Sequence, residues 1–138
     1  MSTRCNIIVA DAQKRIQLYR HCDGYPDTEH GVLATLPQAL PFAWPLPRFE
    51  ADDFAAALIR AWKKHGGDIY IDGSPDGWEL VHGEVEWVYL ITQRPDSCLR
   101  IYVYDWQPYE FEQDDPDVHP PRPADVWVIT PYGVLSQD

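Results

Sequence analysis

Residues 51–64 narrow the possible folds more than any other segment, because they have the pattern of an amphipathic helix. The apolar residues recur at spacings of three and four and fall on one helix face: Phe54, Ala55, Leu58 and Trp62. Asp52 stands near the start and Lys64 at the end, an order of charges that complements the helix dipole, and Gly66 follows as a stop. Such a helix has to cover a second apolar surface, which the rest of the chain must supply.

Short β-favouring runs on both sides of this helix predict that surface. They are residues 6–9, 16–19, 69–71, 85–91, 99–104 and 126–129. A shorter helix is predicted from an N-cap at Thr28 through Val32 and Leu36 to Pro37. This order predicts an α+β fold, in which two helices pack on one face of an antiparallel β-sheet of five or six strands.

Length and composition predict one domain, residues 1–138. The chain has 138 residues, of which 45% are hydrophobic, enough for a packed core. No run approaches the roughly 20 apolar residues of a membrane span, and the start lacks a signal core, so a cytoplasmic location in the bacterial host is expected. Cys5, Cys22 and Cys98 are too few for a disulfide framework.

The formal charge of −11 is concentrated in two segments. Residues 65–93 contain no Lys or Arg but carry Asp68, Asp72, Asp76, Glu79, Glu84 and Glu86. Residues 105–125 carry Asp105, Glu110, Glu112, Asp114, Asp115, Asp117 and Asp125 against the single Arg122. If the two segments meet in space, their field attracts basic surfaces and repels nucleic acid and anionic membranes. The alternative is that acidic loops only keep the protein in solution.

Catalytic and metal-binding patterns are weak. His21, Cys22, Asp23 and His30 lie near one another but match no metal-ligand spacing, and nothing in the sequence places a base beside Cys22. Glu84 and Glu86 would share one face of a predicted strand, as paired carboxylates do, but so would any polar strand face. Phosphate-binding glycine loops and zinc-protease motifs do not occur. We therefore expect no enzyme activity, no metal and no cofactor.

The tryptophans suggest a separate hypothesis. Trp44, Trp78 and Trp106 lie near the ends of predicted elements, where exposed rings would stack on sugars or bases. Together with Tyr25, exposed rings of Trp44 and Trp106 would instead form an aromatic surface for a partner protein. The alternative function is therefore an interaction module, or a small-ligand or carbohydrate-binding protein, that uses an exposed aromatic surface.

The first residues carry a resemblance. Ser2-Thr3-Arg4, Asn6-Ile7-Ile8-Val9 and the later Leu18-Tyr19-Arg20-His21 with Asp23-Gly24-Tyr25-Pro26 resemble small proteins encoded by phages and other mobile elements. In size and acidity the chain is similar to anti-CRISPR proteins directed at type I-C systems. Related proteins often have an aromatic residue at the position of Cys22, which argues against a shared cysteine chemistry.

The resemblance implies a stoichiometric inhibitor that acts as a DNA mimic. The partner it implies is a Cas effector protein, the large PAM-reading subunit of a type I Cascade, whose basic channel normally holds duplex DNA. Carboxylates of both acidic segments would take the place of phosphates there: Asp72, Asp76, Glu79, Glu84, Glu86, Glu110, Glu112, Asp114, Asp115 and Asp117.

Overall fold

A seven-stranded mixed sheet forms the centre of the protein. The computed structural model describes residues 3–27, 29–44, 48–64, 67–107 and 120–138. The strands are β1 (Cys5–Ala10), β2 (Arg15–Arg20), β3 (Ile69–Gly73), β4 (Trp87–Gln93), β5 (Leu99–Asp105), β6 (Asp125–Ile129) and β7 (Leu135–Gln137). Their order across the sheet is β3-β2-β1-β4-β5-β6-β7. The helices are α1 (Val32–Thr35), which continues as a 3-10 turn over Leu36–Ala39, and α2 (Ala51–Lys64).

Helix α2 packs on one face of the sheet, as the sequence predicts. The Asp11 carboxylate accepts a hydrogen bond of 2.9 Å from the Ala51 N–H at the start of α2. The Gly67 N–H donates to the Trp62 carbonyl at 2.8 Å and closes the end of the helix. Phe54 and Leu58 are fully buried, and each contributes about 1.5–3 kcal/mol through the apolar surface it removes from water.

The main core lies between the helices and alternate residues of the strands. Its strand residues are Cys5, Ile7, Val9, Leu18, Ile69, Tyr89, Ile91, Leu99, Ile101, Val103 and Ile129. A second, smaller core on the opposite face is formed by Ile8, Tyr19, Val85, Val88, Tyr104 and Trp106, with Trp78 and Val81 packed against it. Residues 74–86 therefore cover part of the sheet face that the helices leave open.

The α+β class is confirmed, whereas the predicted sheet of five or six antiparallel strands is wrong in two respects. β1 pairs with β4 in parallel, because β3 joins the outer edge of β2 and the chain then crosses the sheet before β4 begins. Residues 74–86 make that crossing. The seventh strand, Leu135–Gln137, is a three-residue pairing without a β-favouring run, so the sequence gives no signal for it.

Two element boundaries also differ from the predictions. β4 begins at Trp87, so Glu84 and Glu86 precede the strand, because the Val85 N–H turns back to the His82 carbonyl. The N-cap of α1 is Gly31, while the predicted cap, Thr28, lies outside the described residues. In the part of the chain that the structure describes, no helix is long and apolar enough to cross a membrane.

Candidate functional site: the acidic end of the sheet

The strand registers bring several chain segments to one end of the sheet. Cys5 lies opposite Arg20 in β2 and Trp87 in β4, and Trp87 lies opposite Asp105 in β5. β3 and β6 begin at this same end, at Ile69 and Asp125. We call it the acidic end, because the residues that flank these strand boundaries carry a group of carboxylates: Asp23, Asp68, Glu84, Glu86, Asp105 and Asp125.

The two acidic segments of the sequence meet at this end. The Trp106 N–H donates to the Glu86 carbonyl at 2.9 Å, and the Trp78 and Trp106 rings lie 5.4 Å apart. After β5, the chain therefore passes directly beside Glu86 of the first acidic segment. The chain returns to the same end of the sheet just before β6, where the Ala124 N–H donates to the Val103 carbonyl at 2.7 Å. Five predicted site residues fall between these points and lie outside the described residues: Glu110, Glu112, Asp114, Asp115 and Asp117.

Asp76 and Glu79 lie at the other end of the sheet, apart from Glu84 and Glu86. The Arg15 guanidinium donates to the Gly77 carbonyl at 3.4 Å, and the Ser74 hydroxyl donates to the Arg15 carbonyl, which ties this turn to the start of β2. The Glu79 carboxylate accepts hydrogen bonds from the Asp76 and Gly77 N–H groups. Backbone N–H groups, its own first, hold the pKa of Glu79 below its usual value.

Asp72 points inward and fastens residues 74–86 to the sheet. Its Oδ2 atom accepts hydrogen bonds from Asn6 Nδ2 at 3.2 Å and from Gln17 Nε2 at 2.9 Å, and it lies 2.7 Å from His82 Nε2. The Asp72 side chain is 15% exposed. The His82 ring lies 4.8 Å from that of Tyr19. The Asp72 carboxylate is thus engaged inside the protein, while its bonds position the segment that carries Glu84 and Glu86.

Few cations neutralise the acidic end. Arg4 pairs with Glu84 at 2.9 Å, but the Glu84 side chain remains 68% exposed. Arg20 is buried against Trp62. Lys63 and Lys64 end α2 on this side of the molecule, and among the described residues neither lies within 4.0 Å of a carboxylate oxygen. Among the described residues, Glu84 is therefore the one carboxylate of the acidic end that has a Lys or Arg within 4.0 Å.

Sequence reasoning overlooked Asp23 as a member of this surface, and it named Asp68, Asp105 and Asp125 in the acidic segments without giving them a site role. Asp68 and Asp105 are exposed, whereas Asp125 is partly tied down by the Trp127 indole N–H at 2.7 Å. The signal that unites them is their position at strand boundaries. That signal can be used only when the strand pairing is known.

The competing sites find less support in the described structure. No group of three or more His, Cys, Asp or Glu side chains that could hold a metal occurs among the described residues, including His21, Cys22, Asp23 and His30. Trp44 and Trp106 are 4% and 3% exposed, so the expectation of exposed rings at these positions is wrong. Trp44 packs edge-on against Phe49, and Trp106 packs against Trp78. Both rings belong to the core.

Comparisons of the chain with protein-family models, with curated proteins and with solved structures gave no match. The resemblance to anti-CRISPR proteins therefore stays a prediction.

Proposed function

We propose that this protein is a stoichiometric inhibitor that places the acidic end of its sheet on a basic, DNA-binding surface of a partner protein. The observation that carries the proposal is the Trp106–Glu86 hydrogen bond with the Trp78–Trp106 contact, which joins the two acidic segments at one corner. Glu84, Glu86 and Asp105 thereby lie at the same end of the sheet. Inhibition of this kind requires only binding and no covalent change of the partner.

The charge distribution suits such a partner. Duplex DNA presents one negative charge per roughly 1.7 Å of its axis, and a channel built for it is lined with Lys and Arg. Glu84, Glu86 and Asp105 lie at neighbouring strand boundaries and can face several such cations together. The acids of residues 110–117 follow Trp106 by only a few positions in the sequence, and the proposal includes them among the contact residues.

The resemblance described above suggests which partner this is. It would be the large, PAM-reading subunit of a type I CRISPR surveillance complex, and occupation of its basic channel would block target DNA binding. If the acidic residues serve only to keep the protein in solution, no specific partner is expected. The two readings therefore differ in a measurable way.

The test compares two double variants with the same change in net charge. Glu84→Lys with Glu86→Lys alters the acidic end, whereas Asp53→Lys with Asp76→Lys alters exposed residues at the opposite end. Binding of each protein to the purified large subunit is measured by calorimetry at two salt concentrations. We expect the first variant to lose most of its affinity and the second to keep it, with wild-type binding weakening as salt rises.

Two results would count against the proposal. Equal loss in both variants would mean that net charge alone, and not the acidic end, determines binding. Binding that does not change with salt would mean that the contact does not depend on charge. Circular dichroism of each variant shows whether it is still folded.

A further inference from the structure

A cavity beside the acidic end, on the helix side of the sheet, contains a buried cation, Arg20, that has no ion pair with a described carboxylate. The cavity has a volume of about 550 Å³ and lies between the end of β2, the loop before α1, and the end of α2. It is lined in part by Arg20, Trp62, Asp23, Glu29 and Asp68. Small-molecule sites occupy roughly 300–1,000 Å³, so the cavity is large enough for one ligand.

Arg20 is the last residue of β2, and its side chain turns to the helix side. It is only 6% exposed, and its guanidinium carbon lies 4.1 Å from the centre of the Trp62 ring. Trp62 is itself fixed, because its indole N–H donates to the Thr35 carbonyl at 3.1 Å. The guanidinium is therefore held in one position before any ligand arrives, which lowers the entropy cost of binding.

Among the described residues, the Arg20 guanidinium has few hydrogen-bond acceptors. Nη2 makes one long bond of 3.4 Å to the His30 carbonyl, and no described residue accepts a hydrogen bond from Nη1. No described carboxylate lies within 4.0 Å of it. Burial lowers the pKa of Arg20, while Cys5 and Asp23 act in the opposite direction. Buried charges normally have a partner, and a planar carboxylate fits the guanidinium fork best.

Apart from Arg20 and the uncharged residues, the described lining consists of three acids, Asp23, Glu29 and Asp68. Glu29 and Asp68 are exposed, and Asp23 accepts a hydrogen bond from the Tyr25 hydroxyl at 2.7 Å. Asp23 adopts a positive φ of 58°, a conformation that Asp tolerates better than most residues. This rim repels a free phosphate or dicarboxylate, whereas it attracts a cationic group. A ligand for this cavity therefore needs both charges.

We propose that this cavity binds a small molecule with a carboxylate for Arg20 and a cationic group for the rim of Asp23, Glu29 and Asp68, of the class of a basic α-amino acid. The rim shares Asp23 and Asp68 with the acidic end. The two proposals are still tested separately, because binding of the small molecule is measured without the partner protein.

The test is calorimetry of the whole protein with four probes. L-Arginine carries both charges, argininamide lacks the carboxylate, acetate lacks the cation, and inorganic phosphate is a compact anion. We expect L-arginine to bind at least about tenfold more tightly than the other three probes, since a lost charged hydrogen bond typically costs that much. Equal binding of argininamide, stronger binding of phosphate, or no binding of L-arginine would each overturn the proposal.

Variants identify the residues. Arg20→Lys keeps the positive charge but removes the planar guanidinium that can bind a carboxylate through two hydrogen bonds. We therefore expect roughly tenfold weaker binding of L-arginine. The double variant Glu29→Gln with Asp68→Asn changes only exposed groups, so it tests the site even if the Arg20 variant fails to fold. It should weaken the binding of L-arginine but not the binding of acetate. Asp27→Asn is the control for loss of an exposed carboxylate near the cavity, because Asp27 is exposed and does not line the cavity. Loss of binding in this control to the same degree as in the double variant would refute the assignment of the rim.

Discussion

Replacement of Asp72 tests whether a buried carboxylate positions the segment that leads to the acidic end. In Asp72→Ala, three hydrogen-bonding groups lose their shared acceptor: Asn6 Nδ2, Gln17 Nε2 and His82 Nε2. Hydrogen bonds to a charged group contribute about 1.5–3 kcal/mol each, but such values do not add within one network.

The remaining contacts set the size of the effect. Asn6 Nδ2 also donates to the Leu18 carbonyl at 3.1 Å, and Gln17 Nε2 donates to the Leu80 carbonyl at 2.7 Å. The His82 side chain is 34% exposed and can turn to water. We therefore expect a loss of about 2–3 kcal/mol in the free energy of unfolding, which is less than three full bonds. For a chain of this size that corresponds to a fall of roughly 6–15 °C in melting temperature.

Urea unfolding followed by tryptophan fluorescence measures this loss, with Asp76→Ala as the matched control. Asp76 is exposed in the same turn region, and its bond to Glu79 is made by the backbone N–H, which the substitution keeps. The control should change stability by less than about 0.5 kcal/mol. A loss below 0.5 kcal/mol in Asp72→Ala would refute the reasoning, because the three donors would then find other acceptors at no cost.

Other predictions concern the core and its titration. Leu58→Ala should lower the free energy of unfolding by about 2–5 kcal/mol in urea, because this side chain is fully buried in α2. Gly24→Ala should lower the melting temperature, since a Cβ there would lie 2.8 Å from a backbone oxygen before β1, while Gly83→Ala, with open space around it, should not. Tyr89→Phe should cost about 1–2 kcal/mol in the same assay, because its hydroxyl donates to the Gly24 carbonyl at 2.6 Å in the core. Burial raises the pKa of the Cys5 thiol from 9.0 to about 12, against the opposing charge of Arg20. The unfolded chain therefore loses this proton first, and stability should fall as pH rises through that range, less steeply in Cys5→Ala.

Local patterns predicted the elements, because each depends on its own residues. The apolar spacing of α2 and the charges at its ends predicted its bounds, and they agree with the structure. The β-favouring runs of β1, β2 and β5 likewise marked strands. The parallel pairing of β1 with β4 was missed because it depends on where residues 74–86 cross the sheet, and no local pattern records that path.

The site was less predictable for the same reason. The position of Asp72 beside the turn at Gly73 predicts an exposed side chain, yet this side chain is 15% exposed. Asn6 and Gln17 were the signal, because amides in otherwise apolar strands require buried partners. The sequence also did not predict the burial of Arg20, because the residues that surround it come from α1, α2 and the loop before β3.

As a DNA mimic, the acidic end has to take the place of duplex DNA on the partner. Labelled target duplex bound to a type I-C surveillance complex is titrated with the protein, and fluorescence anisotropy reports the duplex that remains bound. We predict complete displacement at one molecule per complex, and none with the Glu84→Lys, Glu86→Lys variant. Duplex that stays bound while the protein joins the complex, or equal displacement by the variant, would contradict the proposal.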